Sequence, residues 1–165
     1  MLPLTLLAAQ KLSGLLTTGD SLSQTISSLA TEAGVTLPLL VSNQVILASA
    51  PPALADNEIP LTYPRVLLYS TQVKNSQLEK FRTFSGSIAV VAEIWASGNL
   101  VGDSDQWIHY YVEALTQLMR DNIGDWGDGF FFAGVYEVQL QPPKVGGFGY
   151  LQLAKMTCSL NVSLN

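Results

Sequence analysis

Between Tyr150 and Leu164 the chain carries its cleanest alternation. Ala154, Met156, Cys158, Leu160, Val162 and Leu164 fall on one face, and Lys155, Thr157, Ser159, Asn161 and Ser163 on the other. Side chains of a strand alternate with a period of two, so this stretch predicts a long strand with one face packed and the other meeting water or a polar partner.

Two further segments read as strand. Tyr63-Pro64-Arg65-Val66-Leu67-Leu68-Tyr69-Ser70 is rich in β formers, with Pro64 at its start, where the missing N–H removes no needed ladder bond. Phe84 to Ala96 is nearly all apolar through Ile88-Ala89-Val90-Val91-Ala92, which predicts burial on both faces. The polar stretch Thr71 to Arg82 between them reads as an exposed hairpin loop. A short strand is expected over Gln44–Ala48 and another over Val135–Gln141.

Helices are legible from the three- and four-residue spacing of apolar positions. Leu4, Leu7, Ala8, Leu12, Leu15 and Leu16 predict a first helix ending near Leu16. A second starts at Asp20 or Ser21, turns Leu22, Ile26, Leu29 and Ala30 inward, and ends at Gly34, which suits a left-handed cap. The best-specified element follows Asp103-Ser104-Asp105-Gln106, which reads as a capping box. Its stripe is Ile108, Tyr111, Val112, Leu115, Leu118 and Met119, with Gly124 as its expected end. Asp125-Trp126-Gly127-Asp128-Gly129 reads as a tight turn.

The chain is therefore expected to form one domain over 1–165: an N-terminal helical segment at 1–33, an extended loop or arm at 35–62, and a sheet with the main helix at 63–165. The fold class is α+β, a mainly antiparallel sheet of about four to five strands with helices packed on one face, in a hairpin–helix–hairpin order.

Composition narrows function. Charged residues make up 13% of the 165, where about 25% is usual, and 48% are apolar. Thirteen acids against eight bases give −5, which favours neither nucleic-acid nor anionic-membrane binding. A small domain with so few charges needs either uncharged polar residues as its skin or partners that cover it. The single cysteine, Cys158, excludes an internal disulfide and a Cys-rich zinc site. The start MLPLTLLAAQK lacks a basic n-region, so no signal peptide is expected, and no run reaches membrane-span length.

Chemistry-bearing motifs are sparse. The only histidine, His109, faces Glu113 at i+4 without a second histidine or usable cysteine near it in sequence. The acids Asp103, Asp105, Glu113, Asp121, Asp125 and Asp128 crowd one window, but at a helix start and among turn glycines, where acids are expected without a metal. The phosphate-binding loop, the dinucleotide fingerprint and the nucleophile elbow are absent. No catalytic residue, metal or cofactor is expected; an enzyme would have to build its pocket near His109, Glu113 and Asp121. Phe130, Phe131 and Phe132 cannot all face one side of a strand, so with Trp126 they divide between core and a contact surface. Lys74, Lys80 and Arg82 mark the Thr71–Arg82 loop as a candidate contact with an acidic partner.

The order of elements and several local phrases resemble the tail terminator proteins of long-tailed bacteriophages. The resemblance begins at Ile59-Pro60-Leu61-Thr62-Tyr63-Pro64-Arg65-Val66, where a loop enters the first sheet strand through a Tyr-Pro step. It continues through the Ser87–Trp95 strand, the Asp105–Met119 helix and the paired C-terminal strands, over about 100 of the 165 residues. It implies a structural virion protein of the tail and neck, assembled in the host cytoplasm, and not an enzyme. Such a protein forms a hexameric ring that caps the tail tube, stops its polymerisation and joins it to the head-side neck. The implied partners are further copies of itself, the tail tube protein and the neck or connector protein; DNA passes through without specific binding, and no membrane is involved. A neck adaptor or head-completion ring, or a ring in a bacterial secretion or injection apparatus, shares this look. If Asp103, Asp121 and Asp125 faced the lumen they would repel passing DNA.

Overall fold

The structure is a computed structural model that describes residues 3–48, 62–77, 79–146 and 149–165. Residues 49–61 of the expected arm at 35–62, which include the first residues of the Tyr-Pro phrase, and Gly147-Phe148 lie outside the described residues.

Helix α1 (Leu4–Thr17) passes through a 3-10 turn into α2 (Ser21–Ala33), and Gly34 closes α2 in the left-handed region, as its position implies. Asp20 precedes α2 but does not cap it. Its carboxylate accepts from the Ser42 hydroxyl at 2.6 Å, while the Ser21 hydroxyl donates to the Leu15 and Leu16 carbonyls and seals the end of α1.

A short strand β1 (Val45–Leu47) runs parallel to β2 (Arg65–Asn75), which pairs antiparallel with β3 (Phe84–Gly98). The long helix α3 (Val101–Asp121) follows, then β4 (Gly124–Gly127), β5 (Phe130–Leu140), β6 (Lys144–Gly146) and β7 (Gly149–Leu164). Among the described residues the sheet has seven strands in the order β1-β2-β3-β7-β5-β4, with β6 paired to β7. The α+β class and the mainly antiparallel sheet hold. The short strand expected over Gln44–Ala48 is β1, and the count exceeds the expected four to five because β4 and β6 have only four and three residues, too few for a visible period.

Three expectations are corrected. Strand β2 continues to Asn75, so Thr71–Asn75 is strand rather than loop, with a bulge between Ser70 and Gln72. Its polar residues mislead because all of Thr71–Asn75 is exposed, where apolar alternation is not needed. Helix α3 begins at Val101 with Leu100 as its N-cap and no side-chain cap. The Asp103 amide donates to the Leu100 carbonyl, so Asp103 is in the first turn, where an acid is favoured by the helix dipole, and the capping box is not formed. The helix ends at Asn122, whose side-chain amide reaches the Leu118 carbonyl at 2.8 Å; Gly124 opens β4. The turn thus shrinks to Asp128-Gly129, both with positive φ, the backbone of a two-residue type I′ hairpin.

One cluster of buried side chains joins these elements. It takes Leu12 and Leu16 from α1, Ile26 from α2, Tyr111, Leu115 and Met119 from α3, Ile88, Val90 and Ile94 from β3, and Met156, Cys158 and Leu160 from β7. Helix α1 packs on β2 and β3, and α3 on β3 and β7. On the outward parity of β3 only Ser85, near its start, and Val91, at its centre between Val90 and Ala92, are buried, while Ala89 and Glu93 are half-buried. The Lys11 ammonium donates to the Trp126 carbonyl at 2.9 Å and pairs with Asp128, tying α1 to the β4–β5 hairpin.

Two acidic groups sit in this core uncharged. Burial pushes the Cys158 thiol up to about 12 and raises the Tyr111 hydroxyl as well; that hydroxyl donates to the Pro38 carbonyl at 2.6 Å. Above the ordinary thiol pKa the unfolded chain loses its proton while the folded chain keeps it. Stability is therefore intact below about pH 8.5 and falls as pH rises towards 12. Urea midpoints measured from pH 7 to 11 are expected to decline only on the alkaline side, and Cys158→Ala to flatten part of that decline.

Candidate assembly surface

The two flanks of the sheet carry exposed strand edges. Among the described residues β1 pairs only with Val66–Leu68 of β2, and β4 only with Phe130–Phe132 of β5. Beyond Leu68 and beyond Phe132, each strand has a neighbour on one side alone among the described residues. Both stretches expose apolar side chains: Val73 is 45% exposed on β2, Val135 66% and Leu140 48% on β5. The bulge in β5 lies between Phe132 and Tyr136, and regular pairing with β7 resumes from Tyr136 to Leu140.

Near the far end of β2 an open groove of about 540 Å³ is lined by Lys74, Glu79, Ser87, Phe131, Asn161 and Ser163, among others. Here the structure gathers part of the set expected from sequence. Lys74 lines the groove directly and is exposed, as are Lys80 and Arg82. Arg82 is not a free cation, since its Nε donates to Glu79 at 2.9 Å and another nitrogen donates to Asn165. Glu79 also accepts from the Ser163 hydroxyl, and these bonds lower its carboxyl pKa, the Ser163 bond most.

The aromatic run splits by parity. Phe130 and Phe132 are fully buried, pairing with Val162 and Leu160 of β7, while Phe131 points the other way and is 46% exposed. Trp126 is half-buried and packs against the core. Its ring packs against Phe132 with centroids 5.4 Å apart, and its indole N–H reaches the Asn122 carbonyl. Of the four aromatic candidates for contact, Phe130 and Phe132 are corrected to core positions, Trp126 is half-buried against the core, and Phe131 is the exposed one.

A polar cluster that sequence reading missed lies on the sheet face opposite the core. Glu93 of β3 accepts from the Tyr69 hydroxyl, from Lys155 of β7 at 3.0 Å and from the Trp95 indole at 3.3 Å. Desolvation foremost raises the Tyr69 pKa, and the bond to Glu93 foremost raises that of Lys155. Three donors converge on one carboxylate, which rigidifies the centre of the face. The signal was present as the register partners Glu93 and Lys155 on neighbouring strands, but strand neighbours are not visible along one chain.

The acids proposed for a lumen do not share a patch. Asp103 lies at the start of α3 and Asp121 at its end, about 27 Å apart along the axis at 1.5 Å per residue. Asp125 stands with Asp121 at the far end and accepts from the Gly127 amide. The arrangement imagined for an enzyme is not assembled either. His109 and Glu113 line an open groove with Leu29 and Glu32 of α2, without Asp121, and Arg120 holds Glu113 at 2.7 Å. Among the described residues no group of three or more His, Cys, Asp or Glu side chains is placed to hold a metal, and no helix is long and apolar enough to cross a membrane.

No protein-family model matches this chain, and no curated protein matches it in sequence.

Proposed function

We propose that this chain is a structural ring subunit of the tail-terminator kind: six copies close into a ring that caps a phage tail tube, halts its polymerisation and offers its other side to the neck. The observation that carries the reading is the pair of strand edges that have no partner among the described residues, bearing exposed apolar residues, at opposite flanks of one sheet. Isolated edges of this sort invite indefinite association, and natural proteins blunt or cover them. A heterologous contact that closes on itself covers both at once and leaves no edge free. The low charge content agrees with flanks that copies of the same chain bury. The hairpin tip with Lys80 and Arg82 stands at one end of the strands and is suited to an acidic axial partner.

Removal of the gene from a phage that carries it tests the reading. Tubes of runaway length are expected for a terminator; tubes of normal length that fail to join heads would place the ring in the neck instead. A strictly monomeric mass for the purified protein, even with tail tubes present, would overturn the ring altogether.

A further inference from the structure

We infer that neighbouring copies join by strand addition, the β2 edge at Gln72–Asn75 of one copy pairing antiparallel with the β5 edge at Tyr136–Gln139 of the next. The inference rests on the ring reading and specifies its lateral contact.

Directions agree first. Strands β2, β3, β7 and β5 alternate in direction through the sheet. A second copy continuing the sheet therefore lays its β5 antiparallel to β2 of the first, the arrangement with the better-aligned ladder bonds.

Hydrogen-bonding parity agrees next. The Ser76 amide donates to the Ser85 carbonyl across the β2–β3 ladder. Backbone groups alternate sides along a strand, so those of Val73 and Asn75 point away from β3. On the other flank the Gln141 amide donates to the Leu153 carbonyl of β7, so the backbone groups of Tyr136 and Val138 point away from β7. Each edge thus presents two residues, spaced two apart, whose N–H and C=O face outward and have no partner among the described residues.

Side chains select the register. Val73 pairs with buried Ile88 and so lies on the core side of β2, with Gln72 and Lys74 on the outer side. Tyr136 and Val138 pair with buried Cys158 and Met156, so Glu137 and Gln139 lie on the outer side of β5. Placing Lys74 opposite Glu137 sets Val73 against Val138, Asn75 against Tyr136 and Gln72 against Gln139. Val73–Val138 and Asn75–Tyr136 are then the hydrogen-bonded pairs. The opposite charges fall in a non-hydrogen-bonded pair, where side chains approach closest. A slip of one residue would put Lys74 against a core-side position and lose every one of these matches. Both segments lie in the regular part of their strands, past the bulges.

The double variant Lys74→Cys/Glu137→Cys tests the junction in the full-length protein. Opposed residues in a non-hydrogen-bonded pair have Cα atoms about 4.5 Å apart, within disulfide reach. Within one copy the two sites are on opposite flanks of the sheet. Mild oxidation with oxidised glutathione should give a ladder of covalent multimers on a non-reducing gel that collapses on reduction; neither single variant should ladder. Charge reversal gives a second readout. Lys74→Glu and Glu137→Lys should each weaken self-association severalfold, and the two together should restore it, which a variant that merely unfolds would not do. A normal oligomer mass with no ladder and no restoration would overturn this junction while leaving the ring standing. A monomer even with tail tubes would overturn both.

Discussion

Replacing Phe132 with alanine is expected to lower unfolding free energy by about 3–5 kcal/mol, the range for emptying a buried phenylalanine site. Phe132 is fully buried, opposes Leu160 on β7 and supports the Trp126 ring. Its loss leaves a void between the end of the sheet and the Trp126 side chain, and the sheet backbone cannot collapse to fill it. For a domain of this size each kcal/mol moves Tm by about 2–4 °C, so calorimetry should show a fall of roughly 6–20 °C. Phe131→Ala, one residue away but exposed, should stay within about 0.5 kcal/mol of the parent. Equal losses for the two variants would contradict the parity of β5. If Phe131 lies near a partner in the ring, its variant should instead show an assembly defect with Tm unchanged.

Gly129→Ala is expected to cost about 2–5 kcal/mol for two separable reasons. Gly129 has φ +79°, and a residue with a Cβ is disfavoured there by about 1–2 kcal/mol. The added methyl would also run into the Ser163 carbonyl oxygen of β7, the residue whose amide donates to the Gly129 carbonyl. Relieving that overlap pushes the hairpin off β7, at the usual overpacking cost of about 1–3 kcal/mol. Gly19→Ala separates the two. Gly19 has φ +63° with nothing near its missing Cβ, so urea unfolding should show the backbone cost alone. If Gly129→Ala were no worse than Gly19→Ala, the close approach of hairpin and β7 would be refuted.

The reach of sequence reading follows the distance over which each signal acts. The α1 and α3 stripes were legible because residues three and four apart share a helix face whatever packs on it. The alternation of β7 was legible for the same reason at period two, and Ala154, Met156, Cys158, Leu160 and Val162 are buried as it implies. The split of the phenylalanine run was legible as a parity constraint, although not which two of the three would enter the core. Thr71–Asn75 misled because an edge strand facing water needs no apolar alternation. The boundaries of α3 misled because Asp103 and Gly124 are typical of helix ends, yet hydrogen bonds from the Asp103 and Asn122 amides place the termini elsewhere.

From the sequence alone come an α+β chain, its main helix, its long final strand, a tight turn somewhere within Asp125–Gly129 and a shortage of charge that asks for covered flanks. Tertiary structure decided what those flanks are. It placed β7 at the middle of the sheet between β3 and β5, gathered Tyr69, Glu93 and Lys155 on one face, separated Asp103 from Asp121, and left Gln72–Asn75 and Tyr136–Gln139 as edges without a partner among the described residues. Strand order and edge exposure are set by pairings between segments tens of residues apart. A local period records which face of a strand is buried, but not which strand lies beside it, so only the folded chain shows where a second copy could add its own.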